Sequence, residues 1–182
     1  IFCLYFFYNL INFSDGANGI TISLSIYWLL IFVFFGSIDK LYIYSLIAPL
    51  VLILIFNLKN KIFLGNSGSS LLSITLASLF IINYNIDNSI KSDEIVLLMF
   101  IPAIDAIRVT IDRVIDGNSP LQPDKKHFHH LILKKVNKNL VFFPYMAISI
   151  LPFLLSIYFN TLLIFIIFSI LYLISVSFLK RI

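Results

Sequence analysis

The stretch LLIFIIFSILYLISVSFL, residues 162–179, contains no charged side chain in 18 residues. A run of this length and composition is typical of a helix that crosses the roughly 30 Å hydrocarbon layer of a bilayer. The whole chain has the same character, because 60% of its 182 residues are hydrophobic, 12% are charged and the mean hydropathy is +1.00. An ordinary soluble domain is far less apolar, so the sequence predicts an integral membrane protein.

Five other long apolar runs and one shorter run precede this stretch. The long runs occupy residues 20–36, 41–56, 70–83, 95–107 and 140–158, and the shorter run occupies residues 1–11. We therefore predict an all-α, polytopic helical bundle with about six full transmembrane helices and one partial helix at the N-terminus, in a single transmembrane domain. The first run starts without Met or a charged leader, so we expect the chain to be a fragment of a longer protein.

Basic residues are concentrated in alternate connections between the predicted spans. The connections at about 12–19, 57–69 and 108–139, together with the C-terminus, hold eleven of the thirteen Lys and Arg residues, whereas Lys40 and Lys91 lie in the opposite set. By the positive-inside rule, this asymmetry places the first set in the cytoplasm. Three polar stretches then share the cytoplasmic face, where they could converge on one site. The net charge of +4 is modest, and we expect no nucleic-acid partner.

The first polar stretch is NFSDGANG, residues 12–19. Asn12 and Asp15 are three residues apart at the end of an apolar run, so they share one face of a helix end. A helix stop with an Asx turn explains this pattern as well as a binding site does. Carboxylate and amide oxygens in this arrangement are also ligands that Mg²⁺ accepts together with substrate phosphates.

The second polar stretch, FLGNSGSS at residues 63–70, leads directly into an apolar run. Backbone N–H groups exposed at a helix N-terminus can bind an anion, although an ordinary serine cap explains the same residues more often. The third stretch begins in IPAIDAIRV, residues 101–109, where Asp105 and Arg108 are three residues apart near the end of a predicted span. This pair fits either a functional charge in the membrane or a solvated helix contact.

All three histidines of the chain lie within DKKHFHH, residues 124–130. A zinc site is disfavoured, because the string lacks the common zinc-ligand spacing and has no cysteine nearby. Interfacial histidines without a specific task are a second interpretation. The third is phosphate binding by the histidines and the neighbouring lysines. The sequence predicts that the histidines lie in a loop or a short helix.

Together, NLINFSDGANGI, KIFLGNSGSSLL, IPAIDAIRV and SPLQPDKKHFHHLIL resemble the motifs of bacterial polyprenyl-phosphate N-acetylhexosaminyl-1-phosphate transferases, in glycosyltransferase family 4, over about residues 5–135. Asp124 with the three histidines is similar to the Asp-x-x-His-x-His-His string of the UDP-GlcNAc-type enzymes. The resemblance implies a multi-pass enzyme of the bacterial inner membrane with a cytoplasmic active site. Polyprenyl (undecaprenyl) phosphate would attack a UDP-N-acetylhexosamine, giving polyprenyl-diphosphate-sugar and UMP, in the first membrane step of cell-surface polysaccharide synthesis such as that of O-antigen.

The resemblance also implies a Mg²⁺ cofactor and a role for each matching residue. The expected catalytic residues are Asp15, Asp105 and Arg108, and the expected metal ligands are Asn12, Asp15 and Asn66. The expected substrate-binding residues are Asn12, Asn18, Asp124, His127, His129 and His130. A homodimer is compatible with these expectations.

Two features depart from the family pattern. Asn66 stands where the family's Gly-Asp-x-Gly-Ser loop usually supplies a carboxylate, and an amide contributes no negative charge to a metal site. The family's acidic pair, which lies upstream, has no counterpart here. A catalytically impaired relative that serves as a scaffold is therefore one alternative, and an unrelated membrane transporter is another. We expect residues 140–182, which carry no motif, to provide packing or part of a lipid groove.

Overall fold

A computed structural model describes residues 2–86, 88–120, 124–138 and 140–181. The regular secondary structure of these residues is entirely helical, which confirms the predicted all-α class. The helices are α1 (Phe2–Ser14), α2 (Ile20–Phe35), α3 (Lys40–Leu58), α4 (Gly65–Asn85), α5 (Ser92–Leu98), α6 (Phe100–Ile115), α7 (Phe128–Leu133), α8 (Phe142–Ser156) and α9 (Thr161–Arg181).

Three helices in the described part of the chain are long and apolar enough to cross a membrane, namely α3, α4 and α9. Helices α2 and α8 are also apolar but have only 16 and 15 residues. Because an ideal span needs about 20 residues, these two are short for a full crossing. The structure thus supports a helical membrane bundle, while the larger number of full spans stays a prediction.

The predicted helix over residues 95–107 is wrong as a single element, because α5 ends at Leu98 and α6 begins at Phe100. Pro102 explains the break, since proline has no N–H to donate to the carbonyl four residues earlier. That carbonyl belongs to Leu98, and it accepts a hydrogen bond from the indole Nε1–H of Trp28 at 3.0 Å. The buried carbonyl that the proline leaves unpaired is therefore satisfied from α2.

Each of the three polar connections is shorter in the structure than the sequence predicted. Helix α1 continues to Ser14, so the connection expected over residues 12–19 begins inside its last turn. Helix α4 already begins at Gly65, and within its first turns the hydroxyls of Ser69 and Ser70 donate to the backbone carbonyl of Asn66 at 3.1 and 2.6 Å. Helix α6 continues to Ile115, well inside the connection expected over residues 108–139.

Helix α2 lies at the centre of the bundle and is buried along nearly its whole length. The Trp28 ring packs edge-on against the rings of Phe7 on α1 and Phe80 on α4, at 6.2 and 5.9 Å between centroids. Helix α2 is apolar on every side, as is typical of a helix surrounded by other helices. Helices α3 and α9 instead have exposed apolar side chains on their outer faces. Those outer faces are suited to contact with lipid.

The aromatic contacts also fix the relative directions of α2 and α4. Phe32 of α2 lies beside Phe80 of α4, and Ser37, just after α2, donates its N–H to Asn83 near the end of α4. The two helices therefore run parallel, and both begin at the same end of the bundle. Helix α1 leads into α2 through a five-residue connection, so its C-terminus lies at that end too.

Candidate functional site

The carboxylate of Asp105 is the centre of a buried hydrogen-bond network. It is 3% exposed, and its two oxygens accept from the hydroxyl of Tyr172 at 2.6 Å, the guanidinium of Arg108 at 2.7 Å and the backbone N–H of Phe128 at 3.0 Å. Nδ1 of His127 lies 2.9 Å from Oδ2. Asp105 therefore joins α6 to α7 and α9, and it orients the first histidine of the cluster.

The guanidinium of Arg108 shares this network and extends it. In addition to Asp105, it donates to the Tyr172 hydroxyl at 2.8 Å, to Asp112 at 3.0 Å and to the backbone carbonyl of Lys126 at 2.7 Å. The side chains of Arg108 and Asp105 are only 9% and 5% exposed, so their pair is a buried one and not a solvated helix contact. A buried charge of this kind is stable only when its partners are complete, and four groups complete it here.

Asp124 holds the segment that precedes the histidines against α6. Nε of Arg113 donates to its Oδ2 at 2.6 Å, and the backbone N–H of Lys126 donates to Oδ1 at 2.8 Å. Arg113 also donates to the carbonyl of Pro120 at 2.7 Å, and its guanidinium lies over the ring of Phe13 at 5.8 Å. Partial burial by itself would raise the pKa of Asp124, but the two hydrogen bonds lower that pKa below its ordinary value.

The three histidines lie at the N-terminus of the short helix α7, within the predicted loop or short helix. The rings of His127 and His129 are stacked nearly parallel at 5.7 Å, and the His130 ring lies 4.2 Å from that of His129. His127 and His129 are buried, and His130 is partly exposed. Burial, followed by the charges of the neighbouring histidines, lowers the pKa of His129 to about 3, so this ring is neutral at physiological pH.

The loop after α1 packs directly on the histidines. The Phe13 ring lies 5.3 Å from the His127 ring. A Cβ atom at Gly16 would lie 2.9 Å from Cε1 of His129, so no larger residue fits there without a shift. The buried Nε2 of His129 has no hydrogen-bond partner among the described residues. The structure thus brings the first and third polar stretches of the sequence into contact.

The same loop is tied to the connection between α3 and α4. The amide of Asn18 donates to Oδ1 of Asn60 at 2.7 Å, and the backbone N–H of Gly19 donates to Oδ1 of Asn57 at 2.6 Å. Gly19 has a φ of +83°, a left-handed conformation that glycine adopts without strain. Asn18 therefore joins two loops, with one amide N–H donated to Asn60.

The three expected metal ligands, Asn12, Asp15 and Asn66, are all exposed. They lie at the C-terminus of α1 and the N-terminus of α4, which occupy the same end of the bundle. No group of three His, Cys, Asp or Glu side chains in the described part of the chain is arranged to hold a metal ion. One carboxylate and two amides nevertheless fit Mg²⁺, which commonly takes one or two carboxylates and completes its octahedron with phosphate and water oxygens.

Two tyrosines from the last helices belong to the site and were missed by the sequence analysis. Tyr172 of α9 bonds to Asp105 and Arg108, and the Tyr145 ring of α8 lies 6.2 Å from Phe128 and 6.4 Å from His129. Residues 140–182, which were expected to provide packing or part of a lipid groove, therefore also supply side chains to this network. The signal was a hydroxyl in an otherwise apolar span, which needs a polar partner when it is buried.

Residues 1–84 match the family described as "Glycosyl transferase family 4". The chain is 27% identical over 152 residues to the undecaprenyl-phosphate alpha-N-acetylglucosaminyl 1-phosphate transferase of Yersinia pestis, which covers 74% of the chain and 40% of that protein. It is 26% identical over 150 residues to the protein of the same name from Escherichia coli K12, and this match also covers 74% of the chain and 40% of the relative. It is 30% identical over 98 residues to the protein of the same name from Haemophilus influenzae, and this match covers 50% of the chain and 28% of the relative. The chain thus spans about 40% of the length of the first two relatives. No solved structure matches the chain.

Proposed function

Because residues 1–84 match glycosyl transferase family 4 and the chain is a distant homologue of undecaprenyl-phosphate GlcNAc-1-phosphate transferases, we propose that it transfers a sugar phosphate to a lipid phosphate. The donor is a UDP-N-acetylhexosamine and the acceptor is polyprenyl phosphate. An oxygen of the acceptor phosphate attacks the sugar-bearing phosphorus of the donor, and the bond from that phosphorus to the UMP oxygen breaks. The products are polyprenyl-diphosphate-sugar and UMP, formed at the cytoplasmic face of the bacterial inner membrane.

The contact between Gly16 and His129 is the observation that carries this proposal. It joins the loop of Asn12 and Asp15, whose oxygens suit a metal and a nucleotide, to the histidines, whose ring N–H groups suit phosphate oxygens. Phosphoryl transfer requires mainly positioning and neutralisation of charge, so a site assembled from the ends of several helices is suited to it. Lys125, which pairs with no carboxylate of the described residues, adds positive charge at this end, whereas Arg113 and Lys126 are paired with Asp124 and Asp116.

Each set of residues then has a distinct task. Asp105 and Tyr172 are positioning residues, because they hold Arg108 and His127 in fixed orientations. His130 is the only partly exposed ring of the histidine cluster and is placed to donate to a phosphate oxygen. Asn12, Asp15 and Asn66 would hold Mg²⁺, which supplies charge neutralisation on the two phosphates when it is bound.

Release of UMP by the purified protein in lipid nanodiscs tests the proposal. We expect UMP from UDP-GlcNAc only when both polyprenyl phosphate and Mg²⁺ are present. His130→Ala should lower the rate by roughly 100-fold, the upper end of what one lost charge-stabilising donor costs in typical sites being about 1,000-fold. Lys138→Ala, a lysine beyond α7 that lines no part of the site, is the matched control and should retain full activity.

The impaired-relative alternative is favoured by one observation, the amide at position 66 in place of a carboxylate. Asn66→Asp separates the two functions, because an added carboxylate should lower the Mg²⁺ concentration for half-maximal rate if the site is catalytic. Absence of UMP release from both the natural protein and Asn66→Asp would contradict the transferase proposal. It would leave the scaffold alternative as the better explanation.

A further inference from the structure

A polar pocket lies between α6, α7 and α9, and we call it the lysine pocket. It has a volume of about 300 Å³ and is lined by Asp112, Ile115, Asp116, Lys125, Lys126, Leu131, Lys134 and Lys180. Four lysines face two aspartates there, which leaves a net charge of +2. Lys125 and Lys126 belong to the DKKHFHH stretch, whereas neither the sequence motifs nor the proposed transfer reaction accounts for Lys134 and Lys180.

The lysine pocket is separate from the candidate transfer site. Arg113 of α6 faces the Phe13 ring of α1, whereas Asp112 and Asp116 of the same helix face the lysines of α9 and of the segment before α7. None of the residues that line the pocket belongs to α1, whose loop packs on the histidines. The pocket and the site share Asp112 and Lys126, since the Asp112 carboxylate and the backbone carbonyl of Lys126 both accept from Arg108.

Two of the four lysines are available to an anion. Lys126 pairs with Asp116, and Lys180 pairs with Asp112 at 3.0 Å between Nζ and Oδ2. No carboxylate of the described residues pairs with Lys125 or Lys134, and both side chains are exposed at the rim. The two aspartates therefore hold two lysines in place, while the other two supply the net positive charge.

The position of the pocket indicates where its ligand comes from. Lys180 lies in the last turn of α9, a helix long and apolar enough to cross a membrane, so the pocket lies where a bilayer surface would be. Ile115, which is 77% exposed, and Leu131 add apolar surface beside the lysines. Basic pockets between membrane helices on the cytoplasmic side are typical binding sites for anionic headgroups.

We propose that the lysine pocket binds the phosphate of an anionic phospholipid, with the headgroup among the lysines and the first acyl carbons on the apolar residues. The volume is at the lower limit for small-molecule pockets, which suits a headgroup better than a complete nucleotide sugar. The bound lipid would link the segment before α7 to the C-terminus of α9, and so stabilise the position of the histidines that follow this segment.

Thermal unfolding of the purified protein during a titration with phosphatidylglycerol tests this site without measuring transfer activity. We expect the melting temperature to rise with phosphatidylglycerol and to stay constant with zwitterionic phosphatidylcholine. In the double variant Lys125→Gln, Lys134→Gln, the midpoint of the titration should increase by about fivefold for each lysine removed. The double variant Lys59→Gln, Lys61→Gln removes the same charge from a different connection and should behave like the natural protein.

Three outcomes would overturn the proposal. Equal midpoints for the Lys125/Lys134 variant and the natural protein would show that the pocket does not recognise the headgroup. If the midpoint increased as much in the Lys59/Lys61 control as in the Lys125/Lys134 variant, the effect would come from net charge alone. An identical response to inorganic phosphate at the same concentration would assign the pocket to a soluble phosphate and not to a lipid. Because the readout is binding, none of these results depends on the transferase proposal.

Discussion

Replacing Gly16 with alanine tests whether the loop after α1 and the histidines form one packed unit. The new Cβ would lie 2.9 Å from Cε1 and 3.1 Å from Cδ2 of His129, and closer still to Nε2. Non-bonded atoms pack best at about 3.5 to 4.0 Å, and Nε2 is the nearest atom, so the ring must retreat by more than about 1 Å. The rings of His127, His130 and Tyr145 surround it and oppose that movement.

Overpacking of this kind typically costs about 1 to 3 kcal/mol of stability. For a protein of 150 to 250 residues, 1 kcal/mol corresponds to about 2 to 4 °C, so the melting temperature of Gly16→Ala should fall by about 2 to 12 °C. The effect on transfer should be larger in proportion, because a displacement of about 1 Å in a positioned group can lower a rate by roughly 100-fold. The backbone at Gly16 lies outside the left-handed region, so steric overlap is the expected cause.

A double-mutant cycle separates the steric overlap from other effects of the alanine. If the His129 ring is the obstacle, Gly16→Ala should cost almost nothing in the His129→Ala background, because the ring is gone. Gly68→Ala is the control: its Cβ would lie 2.9 Å from Cδ1 and Cγ of Leu64, a side chain that can change rotamer, within helix α4 where alanine is favoured. An unchanged melting temperature for Gly16→Ala, or the same loss in both backgrounds, would refute the packing argument.

Three further predictions concern buried polar groups. Tyr172→Phe removes a donor from Asp105 and should lower the free energy of unfolding by about 1 to 3 kcal/mol, whereas Tyr158→Phe, at an 83% exposed position, should change little in the same melts. The pKa of His129 falls from 6.5 to about 3 on folding, so between pH 7 and pH 5 only the unfolded state takes up a proton on this ring. The free energy of unfolding should therefore fall by up to about 2 kcal/mol over that range. His129→Gln should flatten this dependence on pH, and an unchanged dependence would show that the buried neutral His129 is not its source. Trp28→Phe leaves the Leu98 carbonyl unpaired and should destabilise the protein by about 1 to 3 kcal/mol in thermal unfolding, and a melt that matches the natural protein would show that the carbonyl has another partner.

The sequence predicted the elements that depend on local composition. Apolar runs located the helices because a chain in lipid must satisfy its own backbone hydrogen bonds, and helices do so within one segment. The spacing of Asp105 and Arg108 predicted their contact because residues three apart on a helix are neighbours. Pro120 and Pro123 predicted the end of the preceding helix, so that the histidines were expected in a loop or a short helix.

The sequence could not show the partners that come from distant segments. Nothing near Asp105 indicates that Tyr172, 67 residues later, completes its network, since a tyrosine in an apolar span is also an ordinary membrane residue. In the same way, Pro102 has no N–H for the Leu98 carbonyl, but only the fold shows that Trp28 donates to that carbonyl instead. Periodicity reports which face of a helix is apolar and not which helix packs against it.

The hydrogen bonds of Asp105 indicate how the work of the site is divided. A carboxylate has about four positions for donors, and those of Asp105 are taken up by Arg108, Tyr172, Phe128 and His127. Because these positions are filled, we expect Asp105 to orient other groups and not to accept a proton from the substrate. Loss of its carboxylate should therefore lower stability and activity together, because the groups that it orients lose a common support.

The exposed residues are expected to respond differently. Asp15 and Asn66 are exposed at the same end of the bundle, and His130 is partly exposed beside the His129 ring. Their substitution should lower the rate of transfer with little change in the melting temperature. A pair of measurements on each variant, rate and melting temperature, thus distinguishes residues that contact the substrates from residues that build the site. If His130→Ala lost as much stability as Asp105→Asn, the division between the two sets would be wrong.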